Sequence, residues 1–567
     1  MGSVRIEDVK AAGVAVNIDA LAASGFESIG EEDRYRLKTL GVCTQRHVGK
    51  FMLRVRVPGG KMTPAQLRSV AALSDRYGHG SLHVTTRSGL EIHHVAIGDV
   101  PEIFASLADV GLTTKAACGD TVRNVIACAH AGTYAGEVLA LEPFVRLLHK
   151  RILATSDETN ISRKMNVALG CSPSCDDHVA TSDVGFIAVP GSGSAFPTFT
   201  VWGAGGLGAT PRLAIELRTG LPQHDLIPAF DALIAIGKKY GDRTSRARAK
   251  IKLCVDKWGA QRFREVFEQE FAVARAAGDY MAVLTEETPN RIDALPPVAG
   301  RVVPQKQTGL FTVPALIPMG EVPSDGARAL ADAAERFGDG MVHLTPDQNA
   351  EVQGVREPDI EAVIAALHTF GMRTAGRGGI ADVVSCVGLE YCPIAVTHSM
   401  SLGEELVQAF ESRRLEPSFR DFRIHVSGCP HSCARHQVAD IGLAGATADV
   451  DGAKVEAYVL YVGGNAHERR LGASYPKKIV RGEVAHIVDA LVQRYEAERL
   501  ASERFSQTVA RVGIEAYFAT VAETLTRGLL ALRAKVASVN SVDEKESGTA
   551  VTSARSDRLE WDRSTDI

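Results

Sequence analysis

The sequence predicts an α+β protein built from two homologous halves. Residues 49–112 align without a gap on residues 309–372, and DRYGHGSLHVTT in the first stretch falls on ERFGDGMVHLTP in the second. Both stretches alternate between strand-like and helix-like patterns. An internal duplication changes the fold prediction as a whole, because both copies must then form the same supersecondary unit.

Each copy is predicted to run strand, helix, strand, helix. In the first copy, FMLRVRV (51–57) alternates between apolar and polar residues, and TPAQLRSVAALSDRYG (63–78) has helical spacing after a threonine cap. SLHVTTRSGLEIHHV (81–95) alternates again, and DVPEIFASLADVGL (99–112) is helical. The 45% hydrophobic and 23% charged composition of the 567 residues is ordinary for several packed domains.

The duplication continues beyond these stretches. After a small change of offset, VIAC (125–128) aligns with VVSC (383–386), and GCSPSC (170–175) aligns with GCPHSC (428–433). Two cysteines four positions apart are therefore present in both halves. The whole chain is predicted to consist of two related halves.

Composition limits the class of function. A formal net charge of −5 gives no reason to expect nucleic acid binding. The first thirty residues lack the basic start and apolar run of a secretory signal, and no run of about eighteen apolar residues occurs. We therefore expect a cytoplasmic enzyme without contact to a membrane.

Cysteine spacing indicates a metal centre in the second half. Cys386 and Cys392 are six positions apart, and Cys429 and Cys433 follow about forty residues later. Four thiolates in two close pairs can enclose an iron–sulfur cluster, since cluster iron prefers sulfur ligands. A structural zinc site is the alternative, although its pairs usually have two to four intervening residues. Buried inert thiols are the third possibility.

The two halves differ where they carry thiols and charge. Tyr134 stands in the first half where Cys392 stands in the second, so a cluster there would lack a ligand. We interpret Cys171 and Cys175 as remnants of the duplication with a packing role. Five cations of the first copy have no cationic counterpart in the second. Arg54, Arg56 and Arg87 align with Pro314, Leu316 and Asp347, and Arg123 and Lys164 align with Ala381 and Phe422.

A solvated strand face would explain any one of these cations. Five cations lost together favour an anion site in the first half, beside the cluster of the second half. The segment GAGGLG (203–208) matches a dinucleotide fingerprint, but a proline follows where the helix should begin and no suitable acidic residue is found downstream. We interpret it as a tight glycine loop.

Several of these motifs together resemble the sirohaem and [4Fe-4S] nitrite and sulfite reductase family. They are CVGLEYC (386–392), SGCPHSCARHQVADIGLAGA (427–446), RNV (123–125) and RKMN (163–166), with FMLRVRVPGG and LHVTTRSGLEIH. The resemblance runs in order from about Gly41 to Tyr495. It implies two ferredoxin-like half-domains and two α/β domains that hold sirohaem and the cluster, in a pseudo-twofold arrangement.

The resemblance also implies roles for individual residues. The cluster would be bound by Cys386, Cys392, Cys429 and Cys433, and Cys433 would also ligate the sirohaem iron. The cofactor-binding residues would further include Arg56 and Arg87, as partners of the sirohaem carboxylates, and Asn124. The residues around the substrate anion would be Arg54, Arg123, Lys164 and Asn166.

The implied reaction is the six-electron reduction of a small oxyanion. Asn166 stands where sulfite reductases of the family usually have lysine, and one fewer positive charge favours nitrite, reduced to ammonium, over sulfite, reduced to sulfide. Reduced ferredoxin is the expected donor because no flavin or nicotinamide module is visible, and a flavoprotein subunit is the alternative. Two further hypotheses for the function are an oxygenase of the cobalamin pathway and a non-enzymatic iron–sulfur sensor.

Two residues depart from the family pattern. Cys43 stands where tyrosine is common, so covalent modification of a tyrosine there is excluded. His431 replaces the usual asparagine and could alter hydrogen bonding to a cluster sulfur.

We expect a monomer with the following boundaries: an N-terminal arm (1–45), a ferredoxin-like half-domain (46–115), a sirohaem-binding domain (116–246), a helical linker (247–304), a second ferredoxin-like half-domain (305–373), the cluster and sirohaem domain (374–500), and a C-terminal helix with a disordered tail (501–567).

Overall fold

The computed structural model describes residues 5–155, 160–175, 177–191, 196–278 and 302–527. The predicted disordered tail from Val536 lies outside these residues, as does the later part of the predicted linker. Four five-stranded sheets and their helices make up the described chain. The expected duplicated α+β fold is confirmed.

The first half begins with three helices, α1 (Ile6–Ala12), α2 (Ile18–Ser24) and α3 (Glu31–Thr39). Its first sheet region contains β1 (Val42–Thr44), β2 (Lys50–Val55), β3 (Lys61–Met62), α4 (Pro64–Tyr77), β4 (Ser81–Val84), β5 (Leu90–Ala96) and α5 (Val100–Asp109). Its second region contains β6 (Val122–Ala127), α6 (Glu142–Thr155), β7 (Met165–Gly170), β8 (Val184–Val189), β9 (Thr198–Gly203), β10 (Ile215–Leu221), α7 (Leu226–Lys239) and α8 (Lys252–Ala276).

The second half repeats this order. Its first region contains β11 (Val303–Pro304), β12 (Leu310–Ala315), β13 (Glu321–Pro323), α9 (Ser324–Phe337), β14 (Val342–Leu344), β15 (Ala350–Arg356) and α10 (Ile360–His368). Its second region contains β16 (Val384–Ser385), α11 (Gly388–Tyr391), α12 (Ser399–Phe410), β17 (Ile424–Ser427), β18 (Ile441–Val450), β19 (Ala453–Val462), β20 (Ala473–Val480), α13 (Val484–Glu498) and α14 (Phe505–Val512), and residues 514–527 are again helical.

Helix α4 begins where the sequence predicts. The Thr63 hydroxyl accepts the Gln66 backbone N–H at 3.2 Å, and the Gln66 side chain accepts the Thr63 N–H at 2.9 Å. This reciprocal capping box satisfies two backbone donors that the first turn would otherwise leave unpaired. Pro64 at the first helical position has the backbone φ that a helix requires.

The two halves exchange strands. The first sheet has the order β1-β2-β5-β4-β13, and its last strand comes from the second half. The third sheet, β11-β12-β15-β14-β3, takes its last strand from the first half. Val322 pairs with Leu82 and Met62 pairs with Val342, and one hydrophobic core contains buried side chains from both halves. The halves therefore form one packed body.

The other two sheets bring cysteines to one edge. In the order β10-β9-β8-β7-β6 the strands β6, β7 and β8 are parallel, and in β16-β17-β18-β19-β20 the first three are parallel. Cys128 and Cys171 directly follow β6 and β7, and Cys386 follows β16. Carboxyl ends of neighbouring parallel strands meet at the same edge of a sheet, which is where ligands bind in such folds.

The glycine loop after β9 is not a dinucleotide site. A loop of residues 204–214 connects β9 to β10, which pairs with β9 in antiparallel orientation. No helix follows the glycines. A Cβ on Gly205 would lie 2.6 Å from the Ser182 carbonyl oxygen, so close packing explains this glycine. The interpretation as a tight loop is confirmed.

A search of the described helices finds none long and apolar enough to span a membrane.

Gly60 is predicted to be essential for the packing of the two halves. Its φ is +75°, and a Cβ there would collide with the Leu344 carbonyl of the second half. Gly49, with φ +76° and open space around it, is the matched control. Gly49→Ala should cost only the left-handed strain of roughly 1–2 kcal/mol, whereas Gly60→Ala should lower the thermal unfolding midpoint considerably more. Unfolding is monitored by circular dichroism. Equal shifts of the two midpoints would contradict this packing.

Candidate functional site

A cationic cavity of about 340 Å³ lies between the two halves. Its wall comes from the first half, from residues 246–252 and from the loop that carries Cys433. Among the described residues that line it, none is Asp or Glu. The lining side chains with a positive charge are Arg87, Arg163, Lys164, Arg246, Lys250, Lys252 and Arg435. Such a wall suits a ligand with several negative charges.

Buried carboxylates hold some of these cations in place. The Asp120 carboxylate is fully buried and pairs with Arg163 at 3.1 Å, with Arg246 at 2.9 Å and with Lys10 at 2.9 Å. Burial alone would raise the pKa of Asp120, but hydrogen bonds from Arg246 and the nearby positive charges hold it well below its usual range. Asp183 pairs in the same way with Lys250 at 2.8 Å.

Other cavity cations donate to neutral acceptors. Lys252 donates to the carbonyls of Leu207 at 2.8 Å and Gly206 at 3.1 Å, so the glycine loop holds this ammonium. Arg435 donates to the Asp177 carbonyl at 2.8 Å and contacts His178 at 3.2 Å.

Arg87 and Lys164 are different. Among the described residues, neither side chain has a protein hydrogen bond or ion pair, and both lie close enough to Cys433 for its charge to affect them. Burial lowers the pKa of Arg87 to about 10 and the pKa of Lys164 well below its usual range, and the charge of Arg123 lowers both further. Two cations are thus available to an anion beside Cys433.

Asn166, a predicted substrate residue, also lines this cavity. Its backbone N–H donates to Asp183 at 2.9 Å, and its buried side-chain Oδ1 has no hydrogen-bond partner. A buried polar atom without a partner is costly unless a ligand or water satisfies it.

Apart from the cluster cysteines, four predicted site residues do not line the cavity. Arg56 is 1% exposed and donates to the carbonyls of Ala116, Val122 and Arg123, and burial lowers its pKa to about 9. The structure therefore places Arg56 as a support of the loop around residue 116. A group whose donors already bind backbone carbonyls is poorly placed to bind a carboxylate.

Arg123 and Asn124 support the same region. Arg123 donates to the Ala117 and Gly119 carbonyls, both at 2.9 Å. Asn124 donates to the Val57 carbonyl at 2.7 Å and to the Arg87 carbonyl at 2.9 Å, which fixes the backbone that presents the Arg87 side chain.

Arg54, the fourth of these residues, lies over a pair of thiols. It pairs with Glu91 at 2.6 Å and donates to the Cys118 sulfur at 3.0 Å. Cys43 and Cys118 are hydrogen-bonded to each other; this bond lowers the pKa of Cys118 and raises that of Cys43. Cys43 is therefore a half-buried neighbour of Cys118, at the position where the family commonly has tyrosine.

The predicted cluster ligands are brought to one place. Cys386 follows β16, Cys429 follows the end of parallel strand β17, and α11 carries the chain to Cys392. The left-handed conformation of Ser432 (φ 58°) turns the loop back so that Cys433 reaches the cavity. Burial raises the pKa of Cys386, Cys392 and Cys429, and in each case the nearby Cys433 raises it further.

Polar donors already surround these sulfurs. The Gly428 backbone N–H donates to the Cys386 sulfur at 3.1 Å, and the His431 ring nitrogen Nδ1 lies 3.3 Å from the Cys429 sulfur. The expected influence of His431 on hydrogen bonding to a ligand sulfur is thus matched by its position. Thr86 of the first half donates to the Cys433 carbonyl at 2.9 Å and ties the two halves together here.

A second cavity, of about 270 Å³, lies at the corresponding place in the other half of the pseudo-twofold arrangement. It is lined by Cys128 and Cys175 and carries both signs of charge. Its charged lining residues are Asp177, Asp347, Asp421, Arg377, Arg423 and Arg504, with His130, His178 and His467. A wall of mixed charge does not select a polyanion as the first cavity does.

The strand registers correct one pairing inferred from the sequence. Val167 pairs with Val184 and Ile424 pairs with Ile441, and the Asn166 and Arg423 N–H groups donate to equivalent aspartates. Lys164 therefore corresponds to Asp421, whereas the ungapped alignment matched it to Phe422. The second half has acquired a negative charge at this position.

Sequence reasoning missed several cavity residues, among them Arg246, Lys250 and Lys252. The predicted boundaries place these residues in or beside a helical linker. In the structure they close one side of the cavity, at and just before the start of α8 at Lys252. The dense basic run TSRARAKIK (244–252) was the available signal.

Comparison with known proteins agrees with this architecture. The family model for the nitrite and sulphite reductase 4Fe-4S domain matches residues 118–274 and 377–529. The model for the nitrite/sulfite reductase ferredoxin-like half domain matches residues 44–110 and 303–370. Each model matches the chain twice, once in each half, and together the matches cover most of the chain.

Individual relatives are similar over almost their full length. A ferredoxin–nitrite reductase of Synechococcus elongatus is 30% identical, over 86% of this chain and 95% of the relative. A ferredoxin sulfite reductase of Mycolicibacterium paratuberculosis is 29% identical, over 88% and 92%. The solved structure of the Mycobacterium tuberculosis NirA protein superposes with a TM-score of 0.79 at 27% identity, over 90% of this chain and 96% of that one.

The fold and the site define a duplicated redox enzyme. The chain belongs to the nitrite and sulphite reductase family. The expected cofactors, sirohaem and a [4Fe-4S] cluster, are those that membership in this family implies. The residues present fit both groups: four thiols converge around Cys433, and a wall of cations without carboxylates adjoins it.

Loss of the Asp120 carboxylate should destabilise the cationic wall. Asp120→Asn leaves Lys10, Arg163 and Arg246 without their shared partner, and breaking a buried ion pair costs about 3–5 kcal/mol. The control Glu102→Gln removes the partner of Arg76 in an exposed pair and should cost less than about 1 kcal/mol. Thermal unfolding of both variants measures the difference.

The pH dependence of this effect has a definite sign. Because the folded-state pKa of Asp120 is lowered, its stabilising contribution is complete above the ordinary carboxyl pKa of about 4 and declines as the pH falls below it. The gap between wild type and Asp120→Asn should therefore be constant from neutral pH to about pH 5 and shrink in acid. A gap that widens in acid would contradict the proposed pairing.

Proposed function

We propose that this enzyme reduces nitrite to ammonium with electrons from reduced ferredoxin. The observation that carries the proposal is the pair of cations Arg87 and Lys164, which have no protein partner among the described residues and share one cavity with Cys433 and the neutral amide of Asn166. The two cations suit a small oxyanion, and the neutral amide at position 166, where a third cation could stand, favours the anion of lower charge. The similarity to relatives named ferredoxin–nitrite reductase also supports it.

The proposed binding sites of the cofactors follow from the cavity wall. Cys386, Cys392, Cys429 and Cys433 would hold the [4Fe-4S] cluster, and Cys433 would be shared with sirohaem. The sirohaem carboxylates would lie against the cations anchored by buried carboxylates and backbone carbonyls, which are Arg163, Arg246, Lys250, Lys252 and Arg435. Once bound, the cluster and sirohaem would carry the electrons of reduced ferredoxin to the substrate.

The anchored cations are held in place before any ligand binds. Asp120 and Asp183 fix Arg163, Arg246 and Lys250, so little reorganisation is needed when an anion enters. Three further residues would act indirectly, by fixing the backbone around residues 117–119 and at Arg87. They are Arg54, Arg123 and Asn124.

Lys164 is the proposed proton donor. Its side chain is half-buried and has no protein partner among the described residues. Desolvation and the charge of Arg123 lower its pKa, so it releases a proton more readily than an exposed lysine does. As the N–O bonds of nitrite break, its oxygens must be protonated to leave as water and its nitrogen must be protonated to give ammonium. Lys164 would be reprotonated from water in the cavity.

The resemblance implies a sirohaem carboxylate as the partner of Arg87. We assign Arg87 to the substrate anion instead, because its side chain has no protein partner among the described residues and lies in the cavity with Cys433; it would remain charged and orient the anion.

Sulfite is the second candidate substrate. Relatives named as ferredoxin sulfite reductases are 29% identical to this chain, about as similar as the nitrite reductases. The choice between the two anions is therefore argued from Asn166. A neutral amide at this position favours a monoanion, whereas an additional lysine would favour a dianion.

The substrate preference is tested by comparing kcat/KM for nitrite and sulfite with the same reduced ferredoxin. We expect the wild type to prefer nitrite, and Asn166→Lys to shift the ratio towards sulfite by at least about tenfold, equivalent to about 1.4 kcal/mol. Asn166→Gln keeps a neutral amide and is the control for altered shape. A wild type that prefers sulfite, or a lysine variant with an unchanged ratio, would overturn the assignment.

A further inference from the structure

Three cysteines of the first half form a compact thiol cluster. The sulfur atoms of Cys128, Cys171 and Cys175 all lie within 4.8 Å of one another, and the Cys128 and Cys175 sulfurs are 2.9 Å apart. Among the described residues, this is the only group of three or more potential ligand side chains that meets this distance limit. All three are free thiols, and Cys171 and Cys175 are buried.

Backbone geometry brings these thiols together. Cys128 and Cys171 follow the neighbouring parallel strands β6 and β7, and the Cys128 N–H donates to the Leu169 carbonyl at 3.1 Å. A tight turn, closed by the Cys175 N–H and the Ser172 carbonyl at 3.0 Å, returns Cys175 to the other two. The positions of the sulfurs therefore follow from the fold and do not depend on long flexible side chains.

The loop between Cys128 and Tyr134 is held from the second half. Gln353 donates to the Ala129 carbonyl at 3.0 Å, and the Lys306 N–H donates to the Thr133 carbonyl at 2.8 Å. Packing alone does not require three thiols here, since other small side chains could fill the same space. The interpretation of Cys171 and Cys175 as remnants of the duplication accounts for the backbone that brings them together, but a packing role does not account for three thiols at this place.

The spacing of the sulfurs is close to what a single ion needs. A tetrahedral zinc with Zn–S bonds of about 2.3 Å separates its sulfur ligands by about 3.8 Å, and the three sulfurs lie within 4.8 Å of one another. The Cys128 and Cys175 sulfurs, 2.9 Å apart, would have to move apart by about 0.9 Å to bind it. A cubane cluster binds its thiolates at its outer corners, farther apart, and no three of the four predicted cluster ligands of the second half lie within 4.8 Å of one another. Tyr134, which occupies the place of a fourth thiol, contacts Ser174 at 3.2 Å.

One side of the thiol cluster faces a cavity. Cys128 and Cys175 line the 270 Å³ cavity described above, and His130 lies on the same wall. A fourth ligand from solvent could therefore complete a tetrahedral site, and a trigonal site with three thiolates would need none. Soft thiolate ligands select d10 cations such as Zn²⁺ and Cu⁺.

We propose that Cys128, Cys171 and Cys175 bind one thiophilic d10 cation, Zn²⁺ or Cu⁺, in the half of the protein that lacks the cluster. The site does not depend on the proposed substrate or on the iron–sulfur centre. It ties the carboxyl ends of β6 and β7 to the loop that lines the second cavity.

The test uses the full-length holoenzyme. Separate anaerobic samples are incubated with a thiol reductant and with Zn²⁺ or Cu⁺, passed over a chelating resin, and analysed for metals by mass spectrometry. We expect one equivalent of one of these cations per chain beyond the iron, and competition between Zn²⁺ and Cu⁺ identifies which. Cys171→Ser should reduce the retained metal at least about tenfold and leave the iron content unchanged.

Cys254→Ser is the matched control, because Cys254 is also a buried free thiol of the first half but lies outside the thiol cluster. It should retain the cation in full. Cobalt-substituted wild-type protein provides a measurement that needs no variant, since thiolate ligands give Co²⁺ intense charge-transfer absorption.

The proposal would be overturned if the wild type retained neither cation, or if Cys171→Ser retained as much metal as the wild type. Loss of iron in Cys171→Ser would also overturn it, because that would indicate a second iron–sulfur cluster. A disulfide between two of the three cysteines in the reduced sample would contradict it as well.

Discussion

The parallel pairing of two neighbouring strands fixes where the cysteines of each half can lie. In both halves a cysteine follows the first strand of the pair and a Gly-Cys step follows the second, so two sulfurs must meet at one sheet edge. The cationic cavity and the second cavity both lie beside these edges. The rest of the site depends on this backbone constraint.

The halves have kept this backbone and changed its charge. Arg87 corresponds to Asp347 and Lys164 to Asp421, so the first half offers cations where the second offers carboxylates. The second half has a full set of four thiols where the first has Tyr134. One half contributes most of the anion-binding wall and the other the proposed cluster ligands, and Cys433 is where they meet.

The sequence was sufficient for features with a local or repeated signal. Helix α4 follows from its Thr63 cap, and the duplication follows from an ungapped alignment. Contacts between residues distant in sequence could not be predicted. Arg56 looks like a carboxylate partner until its three backbone acceptors are seen, and the roles of Lys250 and Asp120 depend on partners that only the fold supplies.

The central claim is that the cationic cavity and the four cysteines hold two coupled cofactors. The most direct measurement is the visible absorption spectrum of the purified chain after anaerobic reconstitution with iron, sulfide and sirohaem. We expect sirohaem bands together with cluster absorbance, and perturbation of the haem bands when the cluster is reduced. A protein with a complete cluster that binds no tetrapyrrole would contradict this claim and would favour an iron–sulfur sensor.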